Sequence, residues 1–277
     1  MRRLLAIWAL AAVLALGAWS GAPLGSAEAA SPLSSSPFAD WAAVVVAGEF
    51  RAHSGDPSEA FDNARRDVTQ ELVDAGFSRQ NIREFSVRPE RYPQEHLMLS
   101  DSELIGEKLA DLASQARGGC LVYFTSHGSP AGVVVGSAIL SPAGLAQMVD
   151  DACGDRPTVV IISACFSGVF VPPLSRPDRE VLTAARPDRT SFGCGQTDRY
   201  PYFDACMVQT LPKAKDFVAL GREVQACVAD REKATGMAPP SEPQMFVGSE
   251  LRPLIPFYPL TSAATGVSAL SRAGGSP

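Results

Sequence analysis

Two apolar runs constrain this chain more than anything else in it. They are Leu121-Val-Tyr-Phe-Thr-Ser-His127-Gly128 and Val159-Val-Ile-Ile-Ser-Ala-Cys165-Phe-Ser-Gly168. Each is a strand-length stretch rich in β-branched and aromatic residues, with no polar alternation until its end. Such runs read as parallel strands buried on both faces, in a sheet covered by helices on each side. Open sheets of this kind place their chemistry at the carboxyl ends of the strands. One run ends in a histidine and the other in a cysteine, which is the pairing of a general base with a nucleophile. The two runs therefore point to an α/β cysteine hydrolase.

The surroundings of both residues strengthen this reading. A cysteine at the end of an apolar strand is most often an inert small hydrophobe. Cys165, however, sits in Ser163-Ala-Cys165-Phe-Ser-Gly168, where small residues clear space around the sulfur and permit a sharp turn. His127 is one of 3 histidines and is followed at once by Gly128, whose backbone can approach a reacting carbonyl closely. The N–H groups of Gly128 and Cys165 are the candidate oxyanion donors. His53, His96 and His127 show neither helical i, i+4 pairing nor an HExxH pattern, so no metal site and no cofactor are expected. No Gly-x-Ser-x-Gly elbow suggests a serine hydrolase.

The amino terminus reads as a secretory signal. Arg2 and Arg3 precede an uncharged apolar stretch from Leu4 to Trp19, and Ala27-Glu28-Ala29 supplies a small-x-small cleavage site. The stretch is shorter than the roughly 20 residues of a bilayer span, so no stable membrane insertion is expected after cleavage. Removing residues 1–29 takes away two arginines and one glutamate and moves the net charge from −6 to −7. An acidic chain without a basic patch excludes a nucleic-acid partner. The expected organisation is a signal peptide over 1–29, a Ser/Pro linker over 30–40, one domain over 41–257 and a disordered tail over 258–277. Export favours pairing among the 6 cysteines. Cys120 and Cys153 each precede one key strand, so they are candidate neighbours, whereas Cys194, Cys206 and Cys227 form a second group whose pairing the spacing leaves open.

Along the chain, strands are expected at 41–47, 81–87, 121–125, 159–163, 181–185 and 244–248. Helices are expected at 58–76, 100–116 (opened by a Ser100 or Ser102 cap), 141–152, 202–211 and 214–235. Gly132 to Leu140 reads as a small hairpin. Val171 to Arg179 reads as a Pro- and Arg-rich solvated loop.

Tyr-Phe-Thr-Ser-His127-Gly128 and Ser-Ala-Cys165-Phe-Ser-Gly168 resemble the His-Gly and Ala-Cys blocks of the caspase-like cysteine peptidases. Within that clan the chain is similar to the legumain family. Thr183-Ala-Ala185-Arg-Pro187, followed by Ser191-Phe-Gly-Cys194, resembles a third legumain block, and Pro240-Ser-Glu-Pro243-Gln244 resembles the closing segment of bacterial members. The resemblance implies a caspase-like three-layer sandwich with a mainly parallel sheet of about six strands. It implies endopeptidase activity on peptide or protein substrates, with His127 and Cys165 as the dyad and Thr190, Ser191 and Phe192 as an extended strand that pairs with substrate. The alternatives on the same fold are a peptide-binding pseudo-enzyme and a transpeptidase.

The chain also departs from the legumain pattern. Ser163 stands where legumains carry a pocket glutamate; their histidine-supporting asparagine and their pocket arginine fall on Phe50 and Asp56. Asp198 and Asp204, with Ser163, are the remaining candidate substrate-binding acceptors. They lead to an expected preference for asparagine or a basic residue before the cut, loosely enforced, with Asp204 contributing.

Overall fold

The computed structural model describes residues 36–260, so the expected signal peptide and nearly all of the tail lie outside the described residues. In chain order the elements are β1 (Trp41–Ala47), α1 (Ala60–Asp74), β2 (Ile82–Ser86), β3 (Met98–Leu99), α2 (Ser102–Gln115) and β4 (Gly119–Thr125). Then come β5 (Gly128–Ser129), β6 (Gly132–Val135), β7 (Ala138–Leu140), α3 (Pro142–Cys153), β8 (Thr158–Ser163) and α4 (Val171–Leu174). The chain continues through β9 (Arg179–Thr183), α5 (Tyr202–Thr210), α6 (Phe217–Thr235) and β10 (Gln244–Val247).

A 7-stranded sheet runs in the order β10-β9-β8-β4-β1-β2-β3. All neighbours are parallel except β10, which pairs antiparallel with β9. The strands alternate between two cores. Val44, Val46, Val122, Phe124, Val160 and Ile162 face a layer built on α2 and α3. Val45, Leu121, Tyr123, Val159 and Ile161 face the layer of α1, α5 and α6. Burying residues on both faces makes the central strands continuously apolar, each large side chain contributing roughly 1.5–3 kcal/mol. This is the three-layer α/β sandwich expected, with one strand more than the expected six: β3 is a two-residue edge.

Several local expectations are corrected. The helix over 102–115 is capped by Asp101, whose carboxylate accepts from the N–H groups of Glu103 and Leu104. Ser100 instead donates its hydroxyl to the Ala47 carbonyl at 2.7 Å, joining the start of that helix to the end of β1. The segment after Cys165 is not an open loop. Ser167–Phe170 forms a 3-10 turn that runs into α4, with prolines in its first turn, where a missing N–H costs nothing. Arg176 then pairs with Asp155 at 2.7 Å, and β9 starts two residues earlier than expected, with Arg179 and Glu180 both buried. Gly132 to Leu140 is a hairpin extended by β5 into a three-stranded sheet. Disulfides join Cys120 to Cys153 and Cys206 to Cys227, leaving Cys165 and Cys194 free.

Candidate active site

β4 and β8 are adjacent and parallel, and Thr125 and Ser163 are register partners at their carboxyl ends. His127 and Cys165 each lie two residues further on. The two chains separate at this point. After His127 the backbone turns into β5, with Val134 donating its N–H to the His127 carbonyl at 2.9 Å. After Cys165 it reverses at Phe166, whose φ of 57° is in the left-handed region, unusual for a residue with a side chain. The sequence suggested small residues for this turn; the strained position is a phenylalanine, held by a 2.7 Å bond from its N–H to the Arg189 carbonyl.

Glycine is required at two points here. A Cβ on Gly128 would stand 2.3 Å from the Cys165 carbonyl oxygen and 2.9 Å from Ala164 Cβ. The residue after the histidine therefore lies directly against the cysteine backbone. A Cβ on Gly168 would stand 2.5 Å from Pro187 Cδ, so the turn after the cysteine packs flat on the loop carrying Thr190, Ser191 and Phe192.

His127 is oriented by backbone. Its Nε2 lies 2.9 Å from the Arg51 carbonyl, one residue beyond the position where the supporting asparagine was expected. That bond makes Nε2 the donor and leaves Nδ1 as the basic nitrogen. The Phe61 ring of α1 meets the imidazole edge-on, 5.2 Å between centroids, and fixes its plane. The Arg51 side chain itself turns away, lying over the Phe50 ring and 3.6 Å from Glu49.

The cysteine sulfur meets the expected substrate strand. Ser191 directs its N–H to Cys165 Sγ at 3.3 Å, and its carbonyl and hydroxyl oxygens both lie 3.6 Å from the sulfur. Among the described residues no acceptor takes the Cys165 N–H, so it is free to meet an oxyanion. Thr190 is exposed, while Ser191 and Phe192 are half-buried, and the three form irregular chain without strand pairing. Cys194 follows in the same loop, its carbonyl accepting from the His53 N–H at 3.2 Å. Burial, then the neighbouring Cys165 charge and that of Asp198, pushes the Cys194 thiol up to about 11, so it stays protonated and unreactive at neutral pH.

The candidate substrate-binding acids are placed differently from one another. Asp198 accepts from the Gly195 N–H at 2.7 Å and closes a turn at the rim. Asp204, on α5, is fully buried beneath the two strand ends. Its Oδ2 accepts from Thr125 Oγ1 at 3.0 Å and from Ser163 Oγ at 2.7 Å, while Oδ1 accepts from the Tyr123 hydroxyl. Burial pushes the Asp204 carboxyl up to about 6, with these hydrogen bonds opposing the rise. Ser163, 2 % exposed, is thus turned toward Asp204 and not toward solvent.

A histidine and a cysteine closing adjacent parallel strands of a three-layer sandwich, with an orienting carbonyl on one and a glycine lodged against the other, define a cysteine peptidase of the caspase fold. A sequence model of the Peptidase C13 family matches residues 59–223, and the chain belongs to that family, the legumains. The fold is also that of caspase-1 from Spodoptera frugiperda, at 17 % identity and a TM-score of 0.55 over 77 % of this chain and 88 % of that one. No curated protein matches. The family acts on peptide or protein substrates.

Proposed function

We propose that the protein is an exported cysteine endopeptidase in which Cys165 is the nucleophile and His127 the base. The observation that carries this is the meeting of the two strand ends, with Gly128 against the Cys165 carbonyl and His127 Nε2 tied to the Arg51 carbonyl. Nδ1 of His127 takes the Cys165 proton, and the thiolate attacks the substrate carbonyl carbon. The oxyanion is met by the N–H groups of Cys165 and Gly128. On collapse the C–N bond breaks and the imidazolium protonates the departing amine. Water, deprotonated by the same imidazole, then releases the acyl group as a carboxylic acid and restores the thiol. Export is supported by the Arg2–Ala29 leader pattern and by the two disulfides, which persist in oxidising compartments.

A peptide-library digest with wild type, Cys165→Ala and His127→Ala tests the reading. Both variants are expected to remain folded and to lose activity by at least a thousandfold, without additivity in the double variant. Cleavage by purified Cys165→Ala above a few per cent of wild type overturns it. Export is tested by amino-terminal sequencing of the protein recovered outside the cytoplasm, with a start at residue 30 or 31 expected.

A further inference from the structure

We infer that Asp204 is a positioning residue, whose carboxylate locks together the ends of β4 and β8 and so sets His127 against Cys165, and that it does not read the substrate side chain. This rests on the dyad proposed above. A single oxygen, Oδ2, accepts from Thr125 at 3.0 Å and from Ser163 at 2.7 Å, side chains of register partners on adjacent strands. Each precedes a dyad residue by two positions. The last backbone bond between the two chains is Ser126 N–H to the Ser163 carbonyl at 3.0 Å, after which one chain enters β5 and the other the Phe166 turn. The clamp therefore grips the final point at which the two strands are still paired.

The burial pattern excludes a direct contact with substrate. Asp204 and Thr125 are 0 % exposed and Ser163 is 2 % exposed, so a substrate atom reaches the carboxylate only by breaking the clamp. A carboxylate suits three converging hydroxyls because it only accepts, and its charge strengthens each bond. Burial raises the Asp204 carboxyl to about 6, and the three hydroxyls oppose that rise. The clamp is itself braced. α5 is tied to α6 by Cys206–Cys227, and the loop leading into α5 carries Ser191, whose N–H meets Cys165 Sγ at 3.3 Å. One segment thus holds the sulfur at its start and both strand ends at its finish.

The test compares wild type with Asp204→Asn, Thr125→Val and Ser163→Ala. Iodoacetamide labelling at Cys165, located by mass spectrometry between pH 5 and 9, reports the activated thiol without any substrate. Expected for Asp204→Asn are an intact fold by circular dichroism and labelling at pH 6–7 slowed ten- to hundredfold. On a cleaved peptide, kcat is expected to fall by the same factor, with KM within about twofold and residue preference unchanged, because an ångström of misplacement costs on that order. Thr125→Val and Ser163→Ala should each show a smaller loss, absent in the Asp204→Asn background. These two also carry the test if Asp204→Asn fails to fold. Altered residue preference or a KM effect larger than the kcat effect overturns the assignment in favour of substrate reading. Unchanged labelling in a folded Asp204→Asn overturns it in favour of a purely structural role. If wild-type Cys165 itself labels no faster than an ordinary thiol, the dyad reading fails first and this one with it.

Discussion

Glu180 offers a stability prediction whose size can be worked from its surroundings. It lies on β9 between Val159 of β8 and Val247 of β10 and is 1 % exposed. Its carboxyl has no hydrogen-bond partner among the described residues and borders a small cavity lined by Trp41, Asp216, Phe217, Leu251, Ile255 and Tyr258. Burial, with the Asp216 charge adding to it, pushes the Glu180 carboxyl from 4.5 up to about 8. The folded chain therefore holds one more proton than the unfolded chain between those two values. Its contribution to stability is fully present below pH 4.5 and is lost as pH rises to 8, at about 1.4 kcal/mol per pH unit. At pH 7 the loss is about 3 kcal/mol, and above pH 8 about 5 kcal/mol. Glu180→Gln keeps the shape and removes the titration, against roughly 1–3 kcal/mol for burying an unpaired amide. Urea unfolding of both proteins at half-unit intervals from pH 5 to 9, disulfides intact, isolates this group because other titrations cancel in the difference. The variant's advantage should grow steadily with pH up to 8 and then level off. A difference constant to within about 0.5 kcal/mol across pH 5–8 would refute the reasoning, since a solvated or paired carboxylate gives no such slope.

Two further outcomes follow from geometry already described. Gly128→Ala places a methyl 2.3 Å from the Cys165 carbonyl oxygen, so the cysteine turn must move by about an ångström. The expected result is roughly a hundredfold loss of kcat with a folded protein, and near-wild-type turnover would show that the Gly128–Cys165 contact is not part of the site. Replacing both Cys206 and Cys227 by alanine opens a crosslink of sequence separation 21, expected to cost about 3 kcal/mol in denaturant unfolding; a loss under about 1 kcal/mol would deny the bond a stabilising role.

The central strands β1, β4 and β8 were legible because burial on both faces leaves a signal that survives without context. The edge was not. Met98–Leu99 is too short to show alternation, and the antiparallel direction of β10 has no compositional mark. Arg179 and Glu180 concealed the start of β9, because buried charges imitate a loop when only hydropathy is read. At the site, His127 and Cys165 were visible as the polar residues that end apolar runs. The Arg51 carbonyl that orients His127 was invisible, since every residue carries one and only the fold selects which is used.

The Asp204 clamp lies between these cases, and it bears on what the missing legumain glutamate means. Tyr123, Thr125 and Ser163 place hydroxyls on one face of two buried strands, and buried hydroxyls require acceptors. Alternation puts all three on the same side, where the structure brings the single carboxylate of Asp204 from α5 to meet them. Read in that way, Ser163 is not a pocket acid reduced to a neutral stub. It is a donor to Asp204 at 2.7 Å, and on the proposed dyad the pair braces the strand ends that carry His127 and Cys165. On that proposal, the candidate substrate-facing side chains that remain are those of Thr190, Ser191 and Phe192, with Asp198 beside them in the same loop. With Asp204 bracing the strand ends and this loop facing substrate, as proposed, residue preference and turnover should respond to different substitutions in this protein.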